Sequence, residues 1–134
     1  MAIAACLALD GRAVRAASDA VALFADLADA DRERCGIAYL DPEWRLLGVR
    51  RTPFGTPDGV AMQWRAVIGD ILTLDAHAIV LAHNHPGGDP TPSAADFAVT
   101  RRLIGAIAAL DVRLVDHLVL AGPRWASMRA MGLL

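Results

Sequence analysis

Two histidines two residues apart, His83 and His85, follow a short apolar run, Ala78 to Ala82, that reads as a strand buried on both faces. In an extended chain, residues i and i+2 project to the same side, about 6.5 to 7 Å apart along the backbone, so both imidazoles can converge on one metal ion. A Pro/Gly-rich loop, Asn84 to Pro92, then turns the chain towards a helix beginning at Ser93. Asp96 falls three residues later, in the first helical turn, where the helix dipole favours a carboxylate that can point back at the loop. Two histidines and one aspartate leave a fourth position for water, which is the arrangement of a catalytic rather than a structural zinc site. Such a water, with a pKa near about 7, is a hydroxide source at neutral pH. The chemistry then needs a base, and the only glutamates are Glu33 and Glu43. On spacing alone, Asp96 is equally a capping-box carboxylate and Ser93 equally a plain N-cap, and divalent metals other than zinc would suit the same donors. The letters HNH do not make an HNH nuclease, whose residues are spread over a ββα unit. A zinc deaminase is excluded, because no CxxC pair exists and His85 stands where that motif needs its glutamate.

The segment His83 to Asp96 resembles the HxHPxGxxxPSxxD motif of the JAMM (MPN+/JAB) metalloprotease family. The longer run LAHNHPGGDPTPSAADFAVTRRL, followed by LVDHLVL, resembles its bacterial RadC-like branch. Upstream, Asp31-Arg32-Glu33-Arg34-Cys35-Gly36 keeps the glutamate, cysteine and glycine of that family's Pro-x-Glu-x-Cys-Gly-like stretch, with Asp31 in place of the proline. The resemblance implies that His83, His85 and Asp96 bind one Zn2+ per chain, that Glu33 is the general base, and that Ser93 helps stabilise a tetrahedral intermediate. It implies a single MPN/JAB-type α/β domain, a mixed, curled sheet packed between helices, with the zinc site at one end. The implied activity is zinc-dependent hydrolysis of a peptide, isopeptide or related amide bond in a peptide or protein substrate. A reading of a different class is a non-catalytic or accessory module in DNA repair or mobile-element metabolism. Two departures stand out. Gly87 replaces the serine of the usual HNHPSG, and only 32 residues precede Glu33. The helix-hairpin-helix module of full-length RadC-like proteins is therefore expected to be absent, leaving residues 1–134 as one domain. Asp116-His117 resembles the DH of the RadC-like strand, either as a support for the site or as a pair satisfied within the sheet.

The elements that must position these residues follow from periodicity. Ser18 to Ala30 is predicted as one amphipathic helix capped by Ser18, with Val21, Phe24, Leu27 and Ala28 inward. Gly36 to Leu40 and Leu46 to Arg50 read as a hairpin turned at Asp41-Pro42-Glu43-Trp44. A loop is expected over Thr52 to Gly59, then a helix from Val60 to Leu72 with Trp64, Val67, Ile68 and Ile71 on one stripe. In the helix after Ser93, Leu103, Ile104, Ile107 and Leu110 supply the buried face. Val112 to Ala121 reads as a strand, and Arg124 to Met128 as a short final one. Glu43, His77 and the three tryptophans, Trp44, Trp64 and Trp125, are expected to be surface, structural and core or interface residues respectively.

Composition narrows the function classes. Of 134 residues, 55% are hydrophobic and 21% charged, enough apolar material for one domain's core and far from a disordered composition. All 13 basic residues are arginine, so Schiff-base lysine chemistry is excluded. A net charge of −2 argues against tight nucleic-acid binding, which rests on clustered basic side chains. Cys6 and Cys35, far apart, exclude a disulfide framework and read as small buried hydrophobes in a reducing compartment. No basic segment precedes the first apolar run and no apolar stretch reaches about 18 residues, so neither a secretory signal nor a membrane span is expected, and the location is expected to be cytoplasmic.

Overall fold

The computed structural model describes residues 5–7, 11–52 and 62–134. Strands β1 (Ala5–Leu7), β2 (Cys35–Leu40), β3 (Leu46–Arg51), β4 (Ala78–Asn84), β5 (Arg113–Ala121) and β6 (Arg124–Ser127) form one open mixed sheet in the order β1-β3-β2-β4-β5-β6. Neighbours pair antiparallel except β4 and β5, which run parallel. A parallel pair needs a crossover, and α4 (Ala94–Ala108) supplies it. β4 lies between β2 and β5, and every residue in it is buried, as its unbroken apolar run requires.

The period of two along each strand divides the core between the two faces. Ala38 and Leu40 of β2, Val80 and Ala82 of β4 and Leu118 and Leu120 of β5 meet Ala20, Phe24 and Leu27 of the N-terminal helical segment. Ile37 and Tyr39 of β2 and Ile79 and Leu81 of β4 meet Val67 and Ile71 of α3 (Trp64–Leu74) and Leu103 and Ile107 of α4. The sheet is thus packed between helices, the α/β arrangement expected. Gly36 carries no side chain for a packing reason: a Cβ there would overlap the buried Phe24 ring.

Several boundaries differ from expectation. The N-terminal helix is two pieces, α1 (Ala17–Leu23) and α2 (Ala25–Ala28), separated at Phe24, whose ψ of 24° leaves the helical range while its ring stays fully buried. Ser18 is not its cap; the Asp19 carboxylate accepts from the Ala16 N–H at 3.0 Å, and the helix starts one residue earlier. Of the helix expected over Val60 to Leu72, residues 60 and 61 lie outside the described residues, as does the loop expected at Thr52 to Gly59 from residue 53 on. α3 begins at Trp64 and runs to Leu74, where Asp75 ends it in the left-handed conformation. Ile104 is 42% exposed rather than buried, because the inward stripe of α4 is Asp96, Thr100, Leu103 and Ile107 and Ile104 lies one position round the helix. β1 was not expected. Trp125 is 42% exposed on β6, whereas Trp44 and Trp64 pack half-buried against the two cores. Cys35 is the buried thiol expected, its pKa pushed up to about 12 by burial and by the charges of Asp96 and Glu33. The reading of Cys6 falls outside the described side chains.

Candidate metal centre

Among the described residues, donor atoms of Glu33, His83, His85 and Asp96 all lie within 4.8 Å of one another. Sheet register brings Glu33 to the histidines. In the antiparallel β2–β4 pair Cys35 is opposite His83, so continuing the ladder by two residues sets Glu33 beside His85 and on the same face. The Glu33 carboxylate stands 3.9 Å from His83 Nε2 and 4.0 Å from His85 Nε2. Asp96 arrives from the first turn of α4, 3.0 Å from His83 Nε2 and 3.2 Å from His85 Nε2. A capping box aims it: the Ser93 N–H donates to Asp96 Oδ2 at 2.7 Å, and the Asp96 N–H donates to Ser93 Oγ at 3.1 Å. The capping role of Asp96 and its place in the cluster therefore coexist. Burial works to raise the Asp96 pKa, but when a proton stands on His83 Nε2 its bond and charge, together with the bonds from Ser93, outweigh it and hold the carboxyl well below its usual range. Ser93 is exposed, and a hydroxyl that accepts still has its own proton to donate.

The far nitrogen of each ring is already engaged. His85 Nδ1 faces the Asp89 carbonyl at 2.9 Å; a carbonyl only accepts, so Nδ1 carries the proton and Nε2 a bare lone pair. His83 Nδ1 meets His117 Nε2 at 2.8 Å. The two Nε2 atoms are 2.9 Å apart and both face the Asp96 carboxylate. Two ring nitrogens and a carboxylate so close are set to share one cation. Donors about 2.0–2.1 Å from one tetrahedral ion stand about 3.3 Å apart, close to these separations, so the residues fit a small divalent metal.

Three more residues shape the site: Asn84 and Thr100, which spacing leaves without a part, and His117, for which support of the site is one of two readings. Asn84, between the two histidines, points to the opposite face and is fully buried. Its Oδ1 accepts from the Arg34 N–H at 2.6 Å, and its Nδ2 donates to the Ala30 and Arg32 carbonyls at 3.2 and 3.0 Å, which fastens the segment carrying Glu33. Asn84→Ala is expected to destabilise the domain by about 1–3 kcal/mol, because buried groups lose their partner. It should also speed amide exchange at Arg34 relative to β2; unchanged exchange there would contradict this anchoring. Behind His83, His117 Nε2 meets its Nδ1, and Thr100 Oγ1 meets His117 Nδ1. Thr100 was detectable in principle as a hydroxyl on the same helical stripe as Leu103 and Ile107. Burial holds His117 neutral, its pKa pushed down to about 3. Asp116, on the other face, accepts from Ser127 Oγ and the Arg129 N–H and fastens β5 to the chain after β6, so the Asp116-His117 pair divides its work between the faces. His77 is exposed beside the Asp75 carbonyl, and Glu43 is exposed in an ion pair with Arg45.

The comparison that decides the family is the match of the RadC-like JAB domain description to residues 14–133. The chain belongs to the RadC-like JAB domain family. A UPF0758 protein of Bordetella avium is 44% identical over 108 residues, covering 81% of this chain and 48% of that protein. One from Acidithiobacillus ferrooxidans is 41% identical over 110 residues, 82% of this chain and 49% of that protein, and one from Rhodobacter capsulatus is 43% identical over 108 residues, 81% and 50%. The RadC-like JAB chain thus spans about half the length of the curated relatives it matches. No helix among the described residues is long and apolar enough to cross a membrane.

Proposed function

We propose that this domain is a metal-dependent hydrolase of the JAMM type, with one zinc ion held by His83, His85 and Asp96 and with an amide bond of a peptide or protein, peptide or isopeptide, as its substrate. The observation that carries the reading is the convergence of two imidazole Nε2 atoms and a carboxylate, with a second carboxylate, Glu33, set farther back at 3.9–4.0 Å. Bound there, zinc would polarise the scissile carbonyl and lower the pKa of water to about 7. Glu33 takes a proton from the attacking water and returns it to the amine as the C–N bond breaks. The Ser93 hydroxyl donates to the oxygen on which negative charge develops. His85 holds its Nε2 lone pair inward because its Nδ1 faces the Asp89 carbonyl, and the His83 ring is held by its Nδ1 contact with His117.

Elemental analysis of protein purified without added metal tests the assignment. About one zinc per chain is expected in the wild type, and near-complete loss in His83→Ala and Asp96→Ala proteins that remain folded. Unchanged zinc content in His83→Ala protein would sink the ligand set. Metal bound by a wild type inactive on every peptide and isopeptide tried would favour the accessory-module reading instead. Nucleic acid is not the proposed ligand, given the net charge of −2. Duplex or branched DNA should bind only weakly at about 0.15 M salt, and nanomolar affinity in that buffer would overturn this part.

A further inference from the structure

A row of three hydrogen bonds runs from His83 into the protein. His83 Nδ1 meets His117 Nε2 at 2.8 Å, His117 Nδ1 meets Thr100 Oγ1 at 2.6 Å, and the Thr100 hydroxyl donates to the Asp96 backbone carbonyl at 2.7 Å. His83, His117 and Thr100 are all buried, at 4%, 2% and 2% exposure, so water does not offer these groups alternative partners. Two histidines and a hydroxyl could by themselves be ordered in either direction. The terminal carbonyl removes that freedom, since it only accepts. Thr100 has one proton and gives it to Asp96, so its oxygen must accept from His117 Nδ1–H. A neutral His117 then has a bare Nε2, which must accept from His83 Nδ1–H. The remaining lone pair of His83 is left at Nε2, facing Asp96 and His85.

We propose that His117 and Thr100 are positioning residues that fix the tautomer and ring orientation of His83, so that its Nε2 is set to bind metal. The chain starts at one proposed ligand and ends on the backbone of another, Asp96, and so ties β4, β5 and α4 into one directional unit. His85 needs no such device, because the Asp89 carbonyl sets its tautomer directly. This inference rests on the metal-site reading above, but it assigns function to two residues that touch neither metal nor substrate.

The test compares zinc affinity across variants of the 134-residue chain, measured by competition with a chelator of known affinity. His117→Phe fills the space but can neither accept from His83 nor donate to Thr100, and it should weaken zinc binding by about 10–100-fold, as loss of a partner behind a metal-bound histidine does. His117→Gln offers a carbonyl to His83 and an N–H to Thr100, and should recover most of that loss. Thr100→Val should weaken binding in the same direction, and Thr100→Ser should not. The double variant His117→Phe/Thr100→Val should bind no more weakly than His117→Phe alone, because the chain is already cut. Tightness equal to wild type in His117→Phe overturns the proposal. So does a glutamine variant as weak as the phenylalanine one, because a purely space-filling role would not distinguish them in that order. Nitrogen-15 NMR of the metal-free chain at about pH 8, above the ordinary imidazole range, reads the chain without zinc. His117 is expected as its Nδ1–H tautomer, and the Nε2–H tautomer would refute the ordering. A wild type that binds no zinc but shows the Nδ1–H tautomer would instead bring down the metal reading and leave the ordering standing.

Discussion

Glu33→Gln protein is expected to retain its zinc and to lose hydrolysis by about 10²–10⁴-fold, the usual cost of removing a general base. The Glu33 carboxylate stands about an ångström farther from both histidine nitrogens than Asp96 does, 3.9 and 4.0 Å against 3.0 and 3.2 Å, which suits a group that works on a water rather than on the metal. Glutamine keeps the shape and can still hydrogen-bond, but it cannot take a proton. Glu43→Gln is the matched control, because that side chain is exposed in the hairpin turn and pairs with Arg45. Zinc content and turnover, measured on both proteins with any substrate found for the wild type, give the answer. Zinc lost from Glu33→Gln would make Glu33 a ligand and remove the open-position argument. Turnover surviving in Glu33→Gln but lost in Glu43→Gln would reverse the assignment.

Asp70→Ala should be among the most damaging single changes away from the site, costing about 3–5 kcal/mol out of the roughly 5–15 kcal/mol typical of a whole domain. Asp70 lies on the inward side of α3, where its carboxylate receives the Arg50 guanidinium in a two-pronged pair and the Tyr39 hydroxyl at 2.7 Å. Arg50 is 5% exposed, and the bond to Asp70 holds its charge more firmly than usual against the opposing effect of burial. Without Asp70 a buried cation and a buried hydroxyl lose their partner together. Denaturant unfolding of Asp70→Ala beside Asp26→Ala separates burial from mere pairing. The Arg51–Asp26 pair at the surface should cost at most about 1 kcal/mol. Equal losses would show that the Arg50–Asp70 pair behaves as an exposed one.

The two rules of strand and helix periodicity carried the site a long way. His83 and His85 share a face because a strand repeats every two residues, and Ser93 and Asp96 form a capping box because that is how this spacing starts a helix. Glu33 came from the family-like stretch and from its being one of only two glutamates. What stayed open or hidden depends on register. His117 reaches His83 because β4 and β5 pair in parallel with Leu81 opposite His117, and nothing in a sequence marks the register of two strands separated by a helix. The Arg50–Asp70 pair was equally silent, since charged residues read as surface until a partner is known. Phe24 interrupts its helix without a glycine or proline to announce it. β1 is three residues long, too short to show an alternation.

Asn84 has a mechanical consequence. Its side chain couples the backbone of residues 30, 32 and 34 to the end of β4, and its neighbours on that strand are the two histidines. When thermal motion bends this end of the sheet, Glu33 and the imidazoles therefore ride on a common mount, and the displacement is shared rather than relative. The spacing between base and histidines is buffered against breathing of the fold without the site itself having to be stiff. The cost of that suspension is that any shift of β4 by a single residue would turn Asn84 towards the cluster and the histidines away from it, so the base and the ligands would fail together.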